Sequence, residues 1–252
     1  MMIHVQNVSL TYQMPDGETP ALRGLSFDIE EGAFVSLVGP SGCGKSTLLS
    51  ILAGLERPTA GQVLLRGIPI DGPSPSVGYM LQKDHLFPWR TVWGNVTLGP
   101  ELQGQNTPEQ QEKLRTLLRR YGLSDFLDHT PDRLSGGMRQ RCALIRTLAR
   151  DPDLLLLDEP FSALDHTTRL AVSADIHAII RAEGKTALLV THDISEAISL
   201  SDRVIVLTAR PGRVRSIHTL DGLEGLSPME RRNHPHFLRY FNDLWKELDV
   251  HV

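Results

Sequence analysis

An α/β fold with a parallel sheet at its centre, an antiparallel β edge ahead of it and a helical insertion inside it is predicted by three patterns in the 252-residue sequence. The first is alternation. Ile3, Val5, Val8, Leu10 and Tyr12, then Leu25, Phe27 and Ile29, recur as apolar positions in two runs parted by Pro15, Asp16 and Gly17. The second is a switch at Phe34 to short, continuous apolar runs with helix-like stretches between them, as expected of strands buried on both faces. The third is a gap between Trp89 and Arg150 with no strand pattern, where apolar residues return at helical spacing.

Taken in order, the antiparallel pair covers residues 3–12 and 22–29. A buried strand at 34–38 leads through a glycine-rich turn into a helix over 45–55, and strands follow at 62–66 and 77–81. The insertion holds helices over 108–121, with Leu114, Leu117, Leu118 and Tyr121 on one face, and over 138–148. Strands at 154–157, 186–190, 204–207 and 214–218 resume the alternation, with a long helix over 166–182 between the first two. The tail is expected as one helix over 227–248, with Phe237, Phe241, Leu244, Trp245 and Leu248 forming a stripe. The whole reads as one domain, 1–252: a core with its β subdomain at 1–88 and 151–220, a helical subdomain at 89–150 and a helical tail at 221–252.

Composition narrows the partners. Lys and Arg number 26 against 30 Asp and Glu, a formal charge of −4 with no long basic run, so neither nucleic acid nor an anionic lipid surface is the expected partner. The aliphatic run Leu154 to Leu157 falls far short of the roughly 18 residues a bilayer span needs, so a membrane link has to pass through another protein. Residues 1–9 lack the basic start and apolar centre of a signal peptide, and 2 Cys cannot frame a disulfide-stapled fold, which points to a reducing cytoplasm.

Gly39, Pro40, Ser41, Gly42, Cys43, Gly44, Lys45 and Ser46 fit G-x-x-x-x-G-K-[ST], placed between a buried strand and a helix N-terminus. This is a P-loop, and with it the fold class becomes an α/β P-loop nucleotide-binding core. Its backbone N–H groups can curl around phosphate oxygens, Lys45 can reach the β- and γ-phosphates, and Ser46 can hold Mg²⁺. Cys43, at a helix N-terminus that favours thiolate, is expected to react with thiol reagents unless nucleotide shields it, and Cys142 to react more slowly. The second half of such a site is an acidic strand end, and Asp158 and Glu159 close the Leu154–Leu157 run. Asp158 suits the metal, while Glu159 can polarise an attacking water as general base. Ser135 stands where it can cap the helix that follows Leu134, Ser135, Gly136, Gly137 and Met138, leaving N–H groups that can meet an anion.

Together with Gln82 after a strand, with Ser162, Ala163, Leu164 and Asp165, and with Thr191, His192 and Asp193, these motifs stand in the order found in the ATP-binding cassette ATPases, which the chain resembles from about Ile3 to Val214. The resemblance implies that Tyr12 stacks on adenine, that Thr47 joins the ATP site, that Gln82 touches Mg²⁺ alongside Ser46 and Asp158, and that His192 contacts the γ-phosphate. With Lys45 and Glu159, His192 completes the implied catalytic set. It also implies a head-to-tail homodimer in which Ser135, Gly136 and Gly137 of one subunit complete the ATP site of the other, with Asp165 at the seam. Met138 stands where the family usually has Gln; it lacks the amide, and reduced or retuned activity is expected rather than loss.

Residues 82–96 and 206–213 are similar to the corresponding segments of importers for nitrate, sulfonate, taurine and related solutes. That implies a peripheral subunit on the cytoplasmic side of the membrane, bound to an integral membrane permease and served by an extracytoplasmic solute-binding protein. Phe87, Pro88 and Trp89 offer large apolar groups suited to a partner helix, although Trp89 and Trp93 can instead pin the helical subdomain to the sheet. Two other classes compete with the importer: a soluble cassette ATPase unconnected to transport, and a small-molecule kinase on the same core.

Overall fold

The computed structural model describes residues 1–15 and 17–248, so Asp16 of the first turn and the tail beyond Leu248 lie outside the described residues. β1 (Ile3–Met14) and β2 (Gly17–Ile29) run antiparallel, with Ile3 opposite Ile29 and Met14 opposite Gly17. The pairing slips between Val5 and Val8, where Asn7 takes φ 48. This bulge accounts for the odd spacing of the apolar residues: one extra residue lets Val5 and Val8 both face the core. β3 (Phe34–Val38) is buried along its whole length.

α1 (Lys45–Leu52) stops short of the expected residue 55. Gly54, at φ 70, ends it, with its N–H donating to Ile51 and that of Leu55 to Ser50. β4 (Ala60–Leu65) begins two residues before the expected start and pairs with β1, then turns through Arg66 and Gly67, both at positive φ, into β5 (Ile68–Pro69). Arg66 is therefore a turn residue and not the strand end that its apolar neighbours suggest. β6 (Val77–Met80) follows.

The insertion contains one helix the sequence pattern hides, α2 (Val92–Leu102), whose Gly94, Gly99 and Pro100 dilute the helical signal. Its start is capped by the Thr91 hydroxyl, which accepts from the Gly94 N–H. α3 (Pro108–Arg120) and α4 (Gly136–Leu148) complete it, α4 opening two residues ahead of the expected start. Then come β7 (Leu154–Asp158), α5 (His166–Ala182), β8 (Thr186–Val190), α6 (Ile194–Leu200), β9 (Arg203–Leu207) and β10 (Val214–Thr219). The tail is not the single helix expected: it divides into α7 (Pro228–Asn233) and α8 (Pro235–Leu248). His234 between them is extended, at ψ 141, because the ring of Pro235 disfavours the helical conformation in the residue before it.

The described strands form two sheets, an antiparallel one ordered β2-β1-β4-β5 and a six-stranded one ordered β10-β9-β3-β8-β7-β6, parallel except for β10. One apolar cluster fills the space between the two sheets and α1, through residues such as Leu25, Leu48 and Leu188. Another joins the opposite face of the large sheet to the insertion, and a third seats α8 through Leu244 against α6 and β9. Because β8 lies between β3 and β7, the carboxyl ends of these three strands are neighbours, and whatever follows each of them is brought to one edge. Among the described residues no helix is long and apolar enough to cross a membrane.

Candidate functional site

Three chain turns meet at that edge: residues 39–44 after β3, Glu159 after β7 and His192 after β8. They border a cavity of about 520 Å³ whose lining includes Ser41, Gly42, Gly44, Lys45, Ser46, Thr47, Glu159 and His192. Its floor is the start of α1. Every other α-helix with a described N-cap geometry has a side-chain cap, whereas the N-cap of α1 is Gly44 with none. The first turn of α1 thus opens into the cavity without a side chain competing for its N–H groups. Gly44 is required there twice over: it takes φ 100, and a Cβ would come within 2.5 Å of Leu22 Cδ2.

Lys45 is buried, and its Nζ donates to the carbonyls of Gly39 (2.8 Å) and Pro40 (3.0 Å), which hold the ammonium against the loop it belongs to. Cys43 turns away from the cavity. Its thiol is fully buried, with Sγ 3.8 Å from Lys45 Nζ, and burial pushes it up, outweighing the nearby ammonium. The expected exposed, activated thiolate is therefore wrong: the helix N-terminus meets the backbone of residue 43, while the side chain packs underneath. Cys142 is likewise buried in α4 and is pushed up to about 12.

Across the cavity, Ser46 Oγ donates to Asp158 Oδ1 and the Tyr79 hydroxyl to Asp158 Oδ2, each at 3.4 Å. Burial raises Asp158, and the charge of Glu159 adds to it. Burial and the charge of Asp158 push the Tyr79 phenol up. Glu159 sits at φ 43, a strained setting for a side-chain-bearing residue that turns its carboxylate out of the strand line. Its Oε2 lies 3.2 Å from His192 Nδ1 and accepts from Gln82 Nε2 at 3.4 Å; Gln82 also reaches Ser162 Oγ. Neighbouring carboxylates therefore face different partners: Asp158 a hydroxyl pair, Glu159 an imidazole and an amide.

At the other end of the cavity the Tyr12 hydroxyl donates to Glu56 (2.9 Å) and lies 3.3 Å from Thr47 Oγ1, leaving the ring at the mouth. Arg210 lines the same mouth, placed there because Gly212 presses on Cys43 O so closely that a Cβ would lie 2.1 Å from it. Sequence reasoning assigned Arg210 no role, and no local signal could have, since it arrives from the β9–β10 connection nearly two hundred residues after Tyr12.

The remaining predicted positions lie elsewhere. Ser135 caps α4, accepting from the Met138 N–H at 3.3 Å, and is exposed; Gly136 and Gly137 open the helix behind it. Asp165 is an exposed cap of α5, lowered by its bond with Thr168. None of the four lines the cavity. Trp89 is 74% exposed, its ring 5.1 Å from that of Phe87, whereas Trp93 packs into the helical cluster under the Arg115 guanidinium. The two tryptophans considered together as pins thus part company.

Residues 22–162 match the family described as ABC transporter. An uncharacterized ABC transporter ATP-binding protein from Bacillus subtilis is 46% identical over 248 residues, covering 98% of this chain and 95% of the relative. The taurine import ATP-binding protein TauB from Jannaschia sp. is 42% identical over 217 residues, covering 86% and 81%. Among solved structures, the dimeric post-hydrolysis state of the ATP-binding cassette MJ0796 bound to ADP and Pi superposes with TM-score 0.74 at 34% identity, over 88% of this chain and 100% of that one.

Proposed function

We infer that this chain, which belongs to the ABC transporter family, is the ATP-hydrolysing subunit of an importer that drives a small anionic or zwitterionic solute of the nitrate, sulfonate or taurine kind through a separate membrane permease. The observation that carries the ATPase reading is the meeting of Lys45, Ser46 and the Glu159–His192 pair at one cavity, with Asp158 accepting from Ser46. The hydroxyl of Ser46, the carboxylate of Asp158 and the amide oxygen of Gln82 are hard oxygen donors of the kind Mg²⁺ prefers, and the first two already face each other. When bound there, the ion neutralises phosphate charge.

The chain's own groups supply the rest. The open N-terminus of α1 and Lys45 bind the phosphates, Tyr12 offers a ring to the adenine, and Glu159 accepts a proton from the attacking water as it adds to the γ-phosphorus. His192, beside Glu159, contacts the γ-phosphate. Ser135, Gly136 and Gly137 do not line their own cavity, which supports a head-to-tail homodimer in which they close the site of another copy, with Asp165 at the seam. Closure on ATP and reopening after hydrolysis form a two-state element able to work a permease from the cytoplasmic face, with an extracytoplasmic binding protein presenting the solute.

Exposed Trp89, set against the half-buried ring of Phe87 a few residues after Gln82 in the chain, supports permease docking. The test is a single Trp89→Ala preparation: membrane co-purification with a polytopic partner should fall while Mg²⁺-dependent ATP turnover and thermal unfolding hold. Turnover with no membrane partner for the parent protein selects the soluble cassette, and a phosphorylated small-molecule product selects the kinase.

A further inference from the structure

Behind His192 lies a group that the chemistry above leaves unused. Glu196, in the first turn of α6, is 4% exposed, and its Oε2 accepts from Thr191 Oγ1 at 2.6 Å. Thr191 is itself 2% exposed, and its Oγ1 accepts from the Asp193 N–H at 3.0 Å. The two bonds form a chain, Asp193 N–H to Thr191 hydroxyl to Glu196 carboxylate, that spans the turn from Thr191 to Asp193, with His192 at its apex. The Asp193 carboxylate then closes the turn by accepting from the Glu196 N–H at 3.1 Å. A small cavity whose lining includes Glu159, Ser162, Arg169, Thr191, His192 and Glu196 joins this network to the catalytic carboxylate, and Arg169 Nη1 stands 3.9 Å from the Asp193 carboxylate.

We propose that Glu196 is a positioning residue for ATP hydrolysis: through the Thr191 hydroxyl it holds the turn that keeps His192 against Glu159. The inference rests on the ATPase reading above. An aliphatic residue would fill a buried helix position more cheaply than a carboxylate, because a charge taken out of water is costly unless it is bonded. The bond it makes is to the one side chain that bridges the His192 turn. Burial pushes Glu196 up to about 7, with the Asp193 charge also raising it and Thr191, Arg169 and His192 opposing. Arg169 reaches it from α5 and Arg232 from α7, the latter feeling both Asp193 and Glu196. Where β3, β9 and α8 pack on α6, the contact is apolar, through Val38, Val204 and Leu244. The carboxylate thus changes charge near neutral pH, and its grip on the Thr191 proton strengthens as it ionises, since a charged acceptor bonds more strongly than a neutral one.

The experiment compares ATP turnover by the parent chain, Glu196→Gln and Glu196→Ala from pH 6 to 8.5. The amide oxygen of Gln keeps an acceptor for Thr191, so Glu196→Gln should retain most of the parent kcat at pH 6, whereas Glu196→Ala should lose about 5-fold, the factor that one neutral hydrogen bond corresponds to, with KM for ATP little changed. The ratio of parent to Glu196→Gln should climb through pH 7 and flatten above it. A pH-independent ratio, or Glu196→Ala turning over at the parent rate, overturns the proposal. If Glu196→Ala does not fold, Thr191→Val and Thr191→Ser replace it: Ser keeps the hydroxyl and should match the parent, while Val should fall, and Val equal to the parent overturns the proposal. A parent chain that hydrolyses no ATP, with Lys45→Ala as the blank, is the separate result that removes the ATPase reading and this inference with it.

Discussion

The molecule contains two glycine–serine loops that each open a helix, residues 39–46 ahead of α1 and residues 134–138 ahead of α4, and they are built for different tasks. In the first, the N-cap is a glycine in the left-handed region with no side-chain cap, and a buried lysine one residue later faces the loop carbonyls. In the other, exposed Ser135 accepts from the Met138 N–H, no lysine follows, and the loop does not border its own chain's cavity. The 39–46 loop can therefore bind an anion by itself. The 134–138 loop exposes Ser135 while Gly137 packs against Val172, and neither residue borders the cavity that Glu159 lines. Similar sequence chemistry yields an uncapped helix start at a cavity in one place and a capped helix start away from it in the other, decided by which strand ends lie nearby.

The largest expected effect tests the carboxylate that shares a cavity with the first loop. Glu159→Gln should lower kcat for ATP hydrolysis by about 10²- to 10⁴-fold, the usual contribution of a positioned base, with nucleotide affinity retained. Retained ATP should then hold the dimer closed, which sedimentation or light scattering reads directly. Parent-rate turnover would place the base elsewhere.

Lys45→Ala comes next. It removes a cation aimed at phosphate, worth about 1.5–3 kcal/mol for a hydrogen bond to a charged group, so nucleotide affinity should fall by roughly 10- to 150-fold in a titration with a fluorescent ATP analogue. Unchanged affinity would reduce the contrast between the loops to their glycines alone.

Ser135→Ala should separate the loops in another way. Losing the α4 cap should cost about 1 kcal/mol in folding stability, as for other Ser caps, while ATP affinity of the isolated subunit stays at the parent value because Ser135 does not border that cavity. ATP turnover at protein concentrations that support the dimer should nevertheless fall. Loss of affinity in the monomer would contradict the placement of this loop, and loss of stability with full turnover would leave Ser135 as a cap only.

How much of this was legible beforehand follows from how local each signal is. The P-loop, the Asp158–Glu159 strand end and the Ser135 cap were legible because a contiguous segment carries each, and the buried strands because apolar runs with no polar face have few other readings. α2 was not, since Gly94, Gly99 and Pro100 weaken its pattern while packing of Val92 and Val96 into the insertion's core overrides propensity. The break of the tail at His234 was legible in principle from Pro235, but the apolar stripe masked it. Arg210 and Glu196 could not be read at all. Arg210 enters the cavity through a contact distant in sequence, and Glu196 resembles any helix-surface glutamate until its burial is known.

The smallest expected effect concerns the two cysteines, one in each region, and it is close to a null result. An exposed P-loop thiol would be quenched by nucleotide, but Cys43 is fully buried beneath the loop, and its acidity is weakened by that burial despite the ammonium at 3.8 Å. Cys142, within α4, is buried too and pushed up to about 12, so that at pH 8 its thiolate fraction is on the order of 10⁻⁴. Reaction of either with an aromatic disulfide reagent then depends on opening of the structure around it. The folded protein should label far more slowly than the protein in denaturant, Cys43 ahead of Cys142, because a loop opens more readily than a packed helix. ATP should slow Cys43 further only to the extent that it suppresses that opening. Fast labelling of Cys43 in the folded protein would mean that the loop samples a state with its thiol outward, and the uncapped helix start would then be a mobile anion site instead of a preformed one.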